Sequence, residues 1–207
     1  MQLRFTTGKF HNMTINMIDQ LLEYDKELFL FLNNLGSEIW DGLWLTITNK
    51  ITFFPLYALL LYAIYKKLGL KTLLLLVFVI AAMITFTDQI TNLFKYVLVK
   101  RPRPCREEDL QNLMRFIAER CGRYGFFSGH SSNSMAAAVF GGLLLKPYYK
   151  KLIFVLIIWS FIVAYSRIYV GVHYPLDIIC GMVFGAIAGF LFYKLQIFLR
   201  KRYITTF

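Results

Sequence analysis

Residues 166–177 read Ser-Arg-Ile-Tyr-Val-Gly-Val-His-Tyr-Pro-Leu-Asp and join two apolar runs, 152–169 and 176–195. Each run is long enough to cross a hydrocarbon core about 30 Å thick as a helix. An arginine, a histidine and an aspartate held at the mouth of such runs are costly, and their default reading is functional. Pro175 favours the first turn of a helix, which puts Asp177 in the first turn of the last run and within reach of His173. A carboxylate on one imidazole nitrogen fixes the tautomer and leaves the other nitrogen free to attack.

The rest of the chain repeats the pattern of apolar runs with polar junctions. Of its 207 residues 57% are hydrophobic and 17% charged, whereas a soluble domain carries about a quarter charged residues. This predicts one all-α membrane domain over 1–207. The net charge of +11 comes from short clusters between the runs. That is how topology is written, not how a nucleic-acid face is built. The polar N-terminus lacks the apolar stretch and cleavage site of a secretory signal.

Residues 15–35 alternate Ile18, Leu21, Leu22, Leu28, Leu32 and Leu35 with Asp19, Glu23, Asp25, Lys26 and Glu27, the pattern of an amphipathic interfacial helix. The expected crossings are 43–65, kinked at Pro55, then 72–99, 133–145, 152–169 and 176–195. That makes five, with a sixth only if the segment before Leu43 also enters the bilayer. Lys66, Lys67 and Lys71, then Lys146, Lys150 and Lys151, then Arg200, Lys201 and Arg202 fall on one side of this layout. The positive-inside rule makes that side cytoplasmic and the 100–127 loop extracytoplasmic. Seven Lys or Arg in the loop itself oppose that placement unless positive charge is needed there. Cys105 and Cys121 lie in this loop and fit a disulfide or two free thiols equally.

Lys95, Arg101, Arg103 and Arg167 concentrate donors suited to a phosphoryl group, and the arginines can grip two oxygens at once. Ser128-Gly129-His130 opens a helix, where free N–H groups and the helix dipole favour an anion and Gly129 allows close approach. Asp88, Asn92 and Lys95 share one helix face, so Asp88 is expected to support Lys95. Glu107, Glu108 and Asp109 read as a solvated charge run.

These residues resemble the type 2 phosphatidic acid phosphatase family, which shares its core with bacterial acid phosphatases and vanadium haloperoxidases. Its third motif, Ser-Arg, five residues, His, three residues, Asp, is matched at Ser166, Arg167, His173 and Asp177. Its second, Pro-Ser-Gly-His, is matched except that Phe127 stands for the proline. In its first, Lys, six residues, Arg-Pro, the spacing departs: five residues separate Lys95 from Arg101 and seven separate it from Arg103. Arg103 is the preferred counterpart, with Arg101 as the extra arginine the family often shows.

The resemblance implies a lipid phosphatase with His173 as nucleophile, Asp177 orienting it, supported by Ser166, and His130 protonating the leaving oxygen. Lys95, Arg101, Arg103, Arg167, Ser128 and Gly129 would hold the phosphoryl oxygens. No cofactor, metal, nucleic acid or obligate protein partner is expected; beyond the motif histidines the chain has only His11. Expected substrates are undecaprenyl pyrophosphate, phosphatidylglycerol phosphate, phosphatidic acid or a lipid A phosphate, cleaved on the periplasmic face of a bacterial inner membrane. A phosphotransferase using an alcohol acceptor would share the first half-reaction. A phospholipid transporter or flippase would need the cations but not the paired histidines with their carboxylate.

Overall fold

The structure, a computed structural model, describes residues 6–204, with side chains from residue 17 onward. Its helices are α1 (Thr6–Asn34), α2 (Glu38–Thr48), α3 (Phe54–Leu93), α4 (Gly129–Leu145), α5 (Leu152–Tyr169) and α6 (Pro175–Tyr203). Short 3-10 turns and one π-helical turn, Phe94–Leu98, link them. The protein is an all-helical membrane protein, with three helical stretches long and apolar enough to cross a bilayer: Lys50–Leu98, Leu152–Tyr169 and Pro175–Tyr203.

The expected first crossing, 43–65, is not one helix. α2 stops at Thr48, and Asn49 takes an extended conformation in which its Oδ1 accepts the Ile51 amide at 3.0 Å. A short 3-10 turn, Lys50–Phe53, follows, and Pro55 lies in the first turn of α3. Proline without an amide hydrogen is tolerated at that position, so it starts a helix here and kinks none.

α3 is interrupted at Gly69, whose φ of 80° lies in the left-handed region that glycine enters at little cost. Lys50 before α3 and Lys95 after it both act electrostatically on His130. Between them, the carbonyl of Lys67 accepts the Tyr148 hydroxyl at 3.4 Å, at the turn that joins α4 and α5. The chain therefore doubles back at Gly69, and Lys66, Lys67 and Lys71 gather at the end of the bundle opposite His130.

Ile64, Leu76, Val79 and Met83 of α3 share a buried cluster with Phe140 and Leu144 of α4. A second cluster joins Phe29 of α1, Met135 of α4, Ile168 of α5 and Ile178 of α6. α4 and α6 approach most closely, because Gly181, Gly185 and Gly189 of α6 lie one turn apart and face the carbonyls of Ser128, Ser132 and Ala136. A Cβ added at Gly181 would stand 2.6 Å from the Ser128 oxygen, closer than real Cβ atoms come. Small residues at such intervals let two membrane helices pack backbone to backbone.

α1 extends the expected 15–35 helix toward the N-terminus, and its buried stripe mixes polar with apolar residues. Asp25, Phe29 and Asn33, four residues apart, are buried, while Leu21, Leu28 and Phe31 are exposed. Asp25 and Asn33 face inward because they have partners there, while Asp19, Glu23 and Glu27 stay exposed. Asn33 donates to the carbonyls of Arg115, Ile168 and Tyr169 and accepts the Arg115 amide at 2.7 Å. Arg115 in turn grips both oxygens of Asp41, at 3.0 and 2.9 Å. These bonds tie α1 and α2 to the loop between α3 and α4.

Candidate active site

His173 sits in the tight turn between α5 and α6. Val172 and His173 both donate their amides to the Arg167 carbonyl, at 3.0 and 3.2 Å. Gly171, with φ 83°, lets the chain pass against Met114 and Arg115. His173 is 1% exposed, so its ring has one orientation. One turn on, Asp177 Oδ2 lies 3.1 Å from His173 Nδ1 and accepts the Tyr174 amide at 3.2 Å. Burial, joined by the charges of Arg103, Arg167 and Lys95, holds the imidazole well below its usual pKa and therefore neutral. A neutral ring that donates from Nδ1 to a carboxylate keeps the lone pair of Nε2 for chemistry.

The 100–127 loop closes over this pair. Gly125 donates to the Arg101 carbonyl at 2.9 Å, and Pro102 bridges Tyr124. Arg103 is fixed between them, Nε donating to the Tyr124 carbonyl at 3.0 Å and Nη1 to Val172 at 3.4 Å. A Cβ on Gly125 would fall 2.7 Å from Asp177 Oδ2, so no larger residue fits there without displacing the carboxylate. Cys105 and Cys121 form a disulfide across the base of the loop.

From the other side comes the start of α4. Ser128 caps it, its Oγ accepting the Ser131 amide and hydroxyl at 3.4 and 3.0 Å, and its own amide donates to the Asp177 carbonyl at 2.9 Å. Lys95 is buried, with Nζ 3.6 Å from where a Gly129 Cβ would stand. The cations that act on His130 are Arg167, Lys50, Lys95 and Arg103, and His130 itself acts on His173. Arg167 donates to the Thr48 hydroxyl and keeps a buried Nε–H with no hydrogen-bond partner among the described residues. An unsatisfied buried donor is costly, and an anion would satisfy it.

His130, His173, Asp177, Lys95, Arg103, Arg167 and Gly129 thus converge on one site. Arg101 does not join the cations. Its Nη1 lies 2.7 Å from Asp25 Oδ2, a close ion contact without hydrogen-bond alignment, and 3.4 Å from Asp177 Oδ1, with its plane over the Tyr174 ring at 3.9 Å. The Ser128 side chain is occupied as a cap, and Ser166 Oγ bonds the Val163 carbonyl at 2.7 Å within its own helix. Asp88 accepts Asn133 Nδ2 at 2.8 Å and reaches Lys95 through its charge. Among the described residues no group of three His, Cys, Asp or Glu is placed to hold a metal.

Lys95 sits in the π-helical turn Phe94–Leu98, where bonds run from i to i+5 and one more residue is fitted into a turn than in an α-helix. Lys95 and Arg103, with seven residues between them, both act on His173. Sequence reasoning missed Asp25, Thr48 and Lys50. Asp25 Oδ1 accepts the Leu176 amide at 2.8 Å and so caps the first turn of α6 from a distant helix. No local pattern signals such a contact across the fold.

A model of the PAP2 superfamily matches residues 71–201, more than half of the chain. A lipid A 4'-phosphatase of Bacteroides thetaiotaomicron is 37% identical over 179 residues, covering 86% of this chain and 79% of the relative. An undecaprenyl-diphosphatase of Sulfolobus acidocaldarius is 30% identical, covering 86% and 81%. The crystal structure of a transmembrane PAP2-type phosphatidylglycerolphosphate phosphatase from Bacillus subtilis superposes with a TM-score of 0.69 over 91% of this chain and 89% of that one. Its 17% identity makes this a likeness of fold.

Proposed function

Because the chain belongs to the PAP2 superfamily and is a membrane lipid phosphatase, we propose that its substrate is a phosphate of lipid A and that a phosphohistidine carries the reaction. The observation that carries the chemistry is the buried, neutral His173 with Nδ1 on Asp177, facing Lys95, Arg103 and Arg167. His173 Nε2 attacks phosphorus and the bond from phosphorus to the lipid oxygen breaks. His130, which burial and the surrounding cations hold far below its usual pKa, takes up a proton as the phosphate dianion offsets those cations and gives it to that oxygen. Water then attacks the phosphohistidine, His130 takes the water proton, and the N–P bond breaks to release phosphate and restore His173. Lys95, Arg103, Arg167 and the Gly129 amide hold the equatorial oxygens as charge develops.

Lipid A is favoured over undecaprenyl pyrophosphate because the 37% relative carries that name across most of the chain. The 30% relative supports undecaprenyl pyrophosphate as the second reading. The doubled-back α3 with α4, α5 and α6 supports five crossings, and the exposed apolar stripe of α1 supports a place at the interface. The disulfide supports a site on the periplasmic side of a bacterial inner membrane, an oxidising compartment.

Phosphate release by the purified protein from lipid A, undecaprenyl pyrophosphate and phosphatidylglycerol phosphate, with chelator present, tests the proposal. Release from lipid A that disappears in His173→Ala is expected. Undiminished release by that variant removes His173 from the nucleophile role, and loss with chelator that metal restores removes the scheme.

A further inference from the structure

The 100–127 loop holds more positive charge than the site described above uses. Arg101 and Arg115 are paired with Asp25 and Asp41, and Arg103 faces His173. Lys100, Arg106, Arg120 and Arg123 remain, and among the described residues no carboxylate pairs with any of them. Two of these, Arg106 and Arg123, line a cavity of about 510 Å³ together with Pro102 and Tyr124.

The wall between this cavity and the phosphoryl site is a single stretch of chain, 122–124. On one side the Tyr124 carbonyl accepts Arg103 Nε, and a Gly122 Cβ would lie 3.1 Å from the same nitrogen. On the other, Arg123 lies over the Tyr124 ring at 5.2 Å and lines the cavity. Arg106 is anchored there by donating to the Cys121 carbonyl at 2.9 Å, beside the Cys105–Cys121 disulfide. Arg106 is thus anchored beside the reaction site, with Arg123 exposed next to it, and both have charge to spare. Arginine forks on a fixed loop suit a phosphate.

We propose that this cavity binds a second phosphate of the lipid molecule whose first phosphate is being cleaved. The inference rests on the lipid A reading: relatives named lipid A 4'-phosphatase and lipid A 1-phosphatase point to a substrate with two phosphates. A second anchor would set which phosphate reaches His173 and would favour substrates that still carry both. It also supplies a need for positive charge on a face where topology disfavours it.

Binding is measured with the full-length His173→Ala protein in zwitterionic micelles, using lipid A with both phosphates and lipid A with one. Arg106→Gln and Arg123→Gln are added singly to that background, and hydrolysis by the unaltered protein is followed separately. Each arginine variant is expected to weaken binding of the doubly phosphorylated lipid about tenfold, equivalent to about 1.4 kcal/mol. The singly phosphorylated lipid should change less than twofold. Equal losses on both lipids, or none on either, overturn the proposal. So does a loss that appears only when phosphatidylglycerol is added to the micelles, which assigns the cavity to a neighbouring bilayer lipid. If the binding difference holds while the unaltered protein releases no phosphate, the cavity stands and the reaction proposed above falls.

Discussion

Gly185→Ala is a sharp test of how helix packing sets the site. The new Cβ would stand against the Ser132 carbonyl, with the carbonyl carbon at 2.9 Å and Ser132 Cα at 3.0 Å, and both are backbone atoms that cannot turn aside. The carbonyl oxygen is nearer still, so ordinary contact requires α4 and α6 to part by about 1 Å, and overpacking of this kind costs about 1–3 kcal/mol. Gly42→Ala provides the reference, because Gly42 also lies within a helix but a Cβ there meets nothing within 4 Å. Both substitutions gain up to about 1 kcal/mol from reduced backbone freedom, so the difference between them isolates the packing cost. One turn from Ser132, the Ser128 amide holds the Asp177 carbonyl at 2.9 Å, with His130 in the first turn of α4 and His173 in the turn that leads into α6. A displacement of about 1 Å can cost ~100-fold in rate, and a fall in turnover of that order is expected. Thermal unfolding in detergent reads the first quantity and phosphate release from lipid A the second. A Gly185→Ala protein that matches Gly42→Ala in both refutes the packing argument. One that is destabilised yet fully active refutes the link between helix spacing and the site.

Asp25→Asn keeps an oxygen for the Leu176 amide but removes the charge beside Arg101, which is then drawn to Asp177. The expected result is a fall in kcat of about tenfold with KM within twofold, and no further loss when Arg101→Gln is already present; an additive double variant counts against it. His173, held neutral by burial and its cations, should show the Nδ1–H tautomer by nitrogen NMR at pH 5.5. Its depressed pKa means that the unfolded chain binds a proton that the folded protein excludes. Stability is therefore full above about pH 6.5 and falls below it, by up to about 1.4 kcal/mol per pH unit for this one group. An imidazolium signal at pH 6 contradicts that assignment of charge.

The residues that could be read from the sequence are those whose partners are near in the chain. His173 and Asp177 are one helical turn apart, and Pro175 marks where that turn begins. Ser128, Gly129 and His130 likewise declare a helix start. What was hidden depends on backbone details or on distant partners. The break at Asn49 is made by one side-chain cap amid Thr46, Thr48, Lys50 and Thr52, and a reading by apolar periodicity passes over it. The π turn at Lys95 fits one more residue into a turn without altering composition. Asp25 looked like one charge among five on an amphipathic helix, and only the fold reveals that its partner is Arg101.

The superfamily match begins at residue 71, whereas Asp25, Thr48 and Lys50 come before it. Each of them touches or acts on a residue within the match: Asp25 on Arg101 and Leu176, Thr48 on Arg167, Lys50 on His130. A chimera that joins the first 70 residues of one relative to the remainder of another would cut through all of these pairs at once. Swapping the leading segment is therefore an exchange of half a mould, and the two halves must be chosen to match.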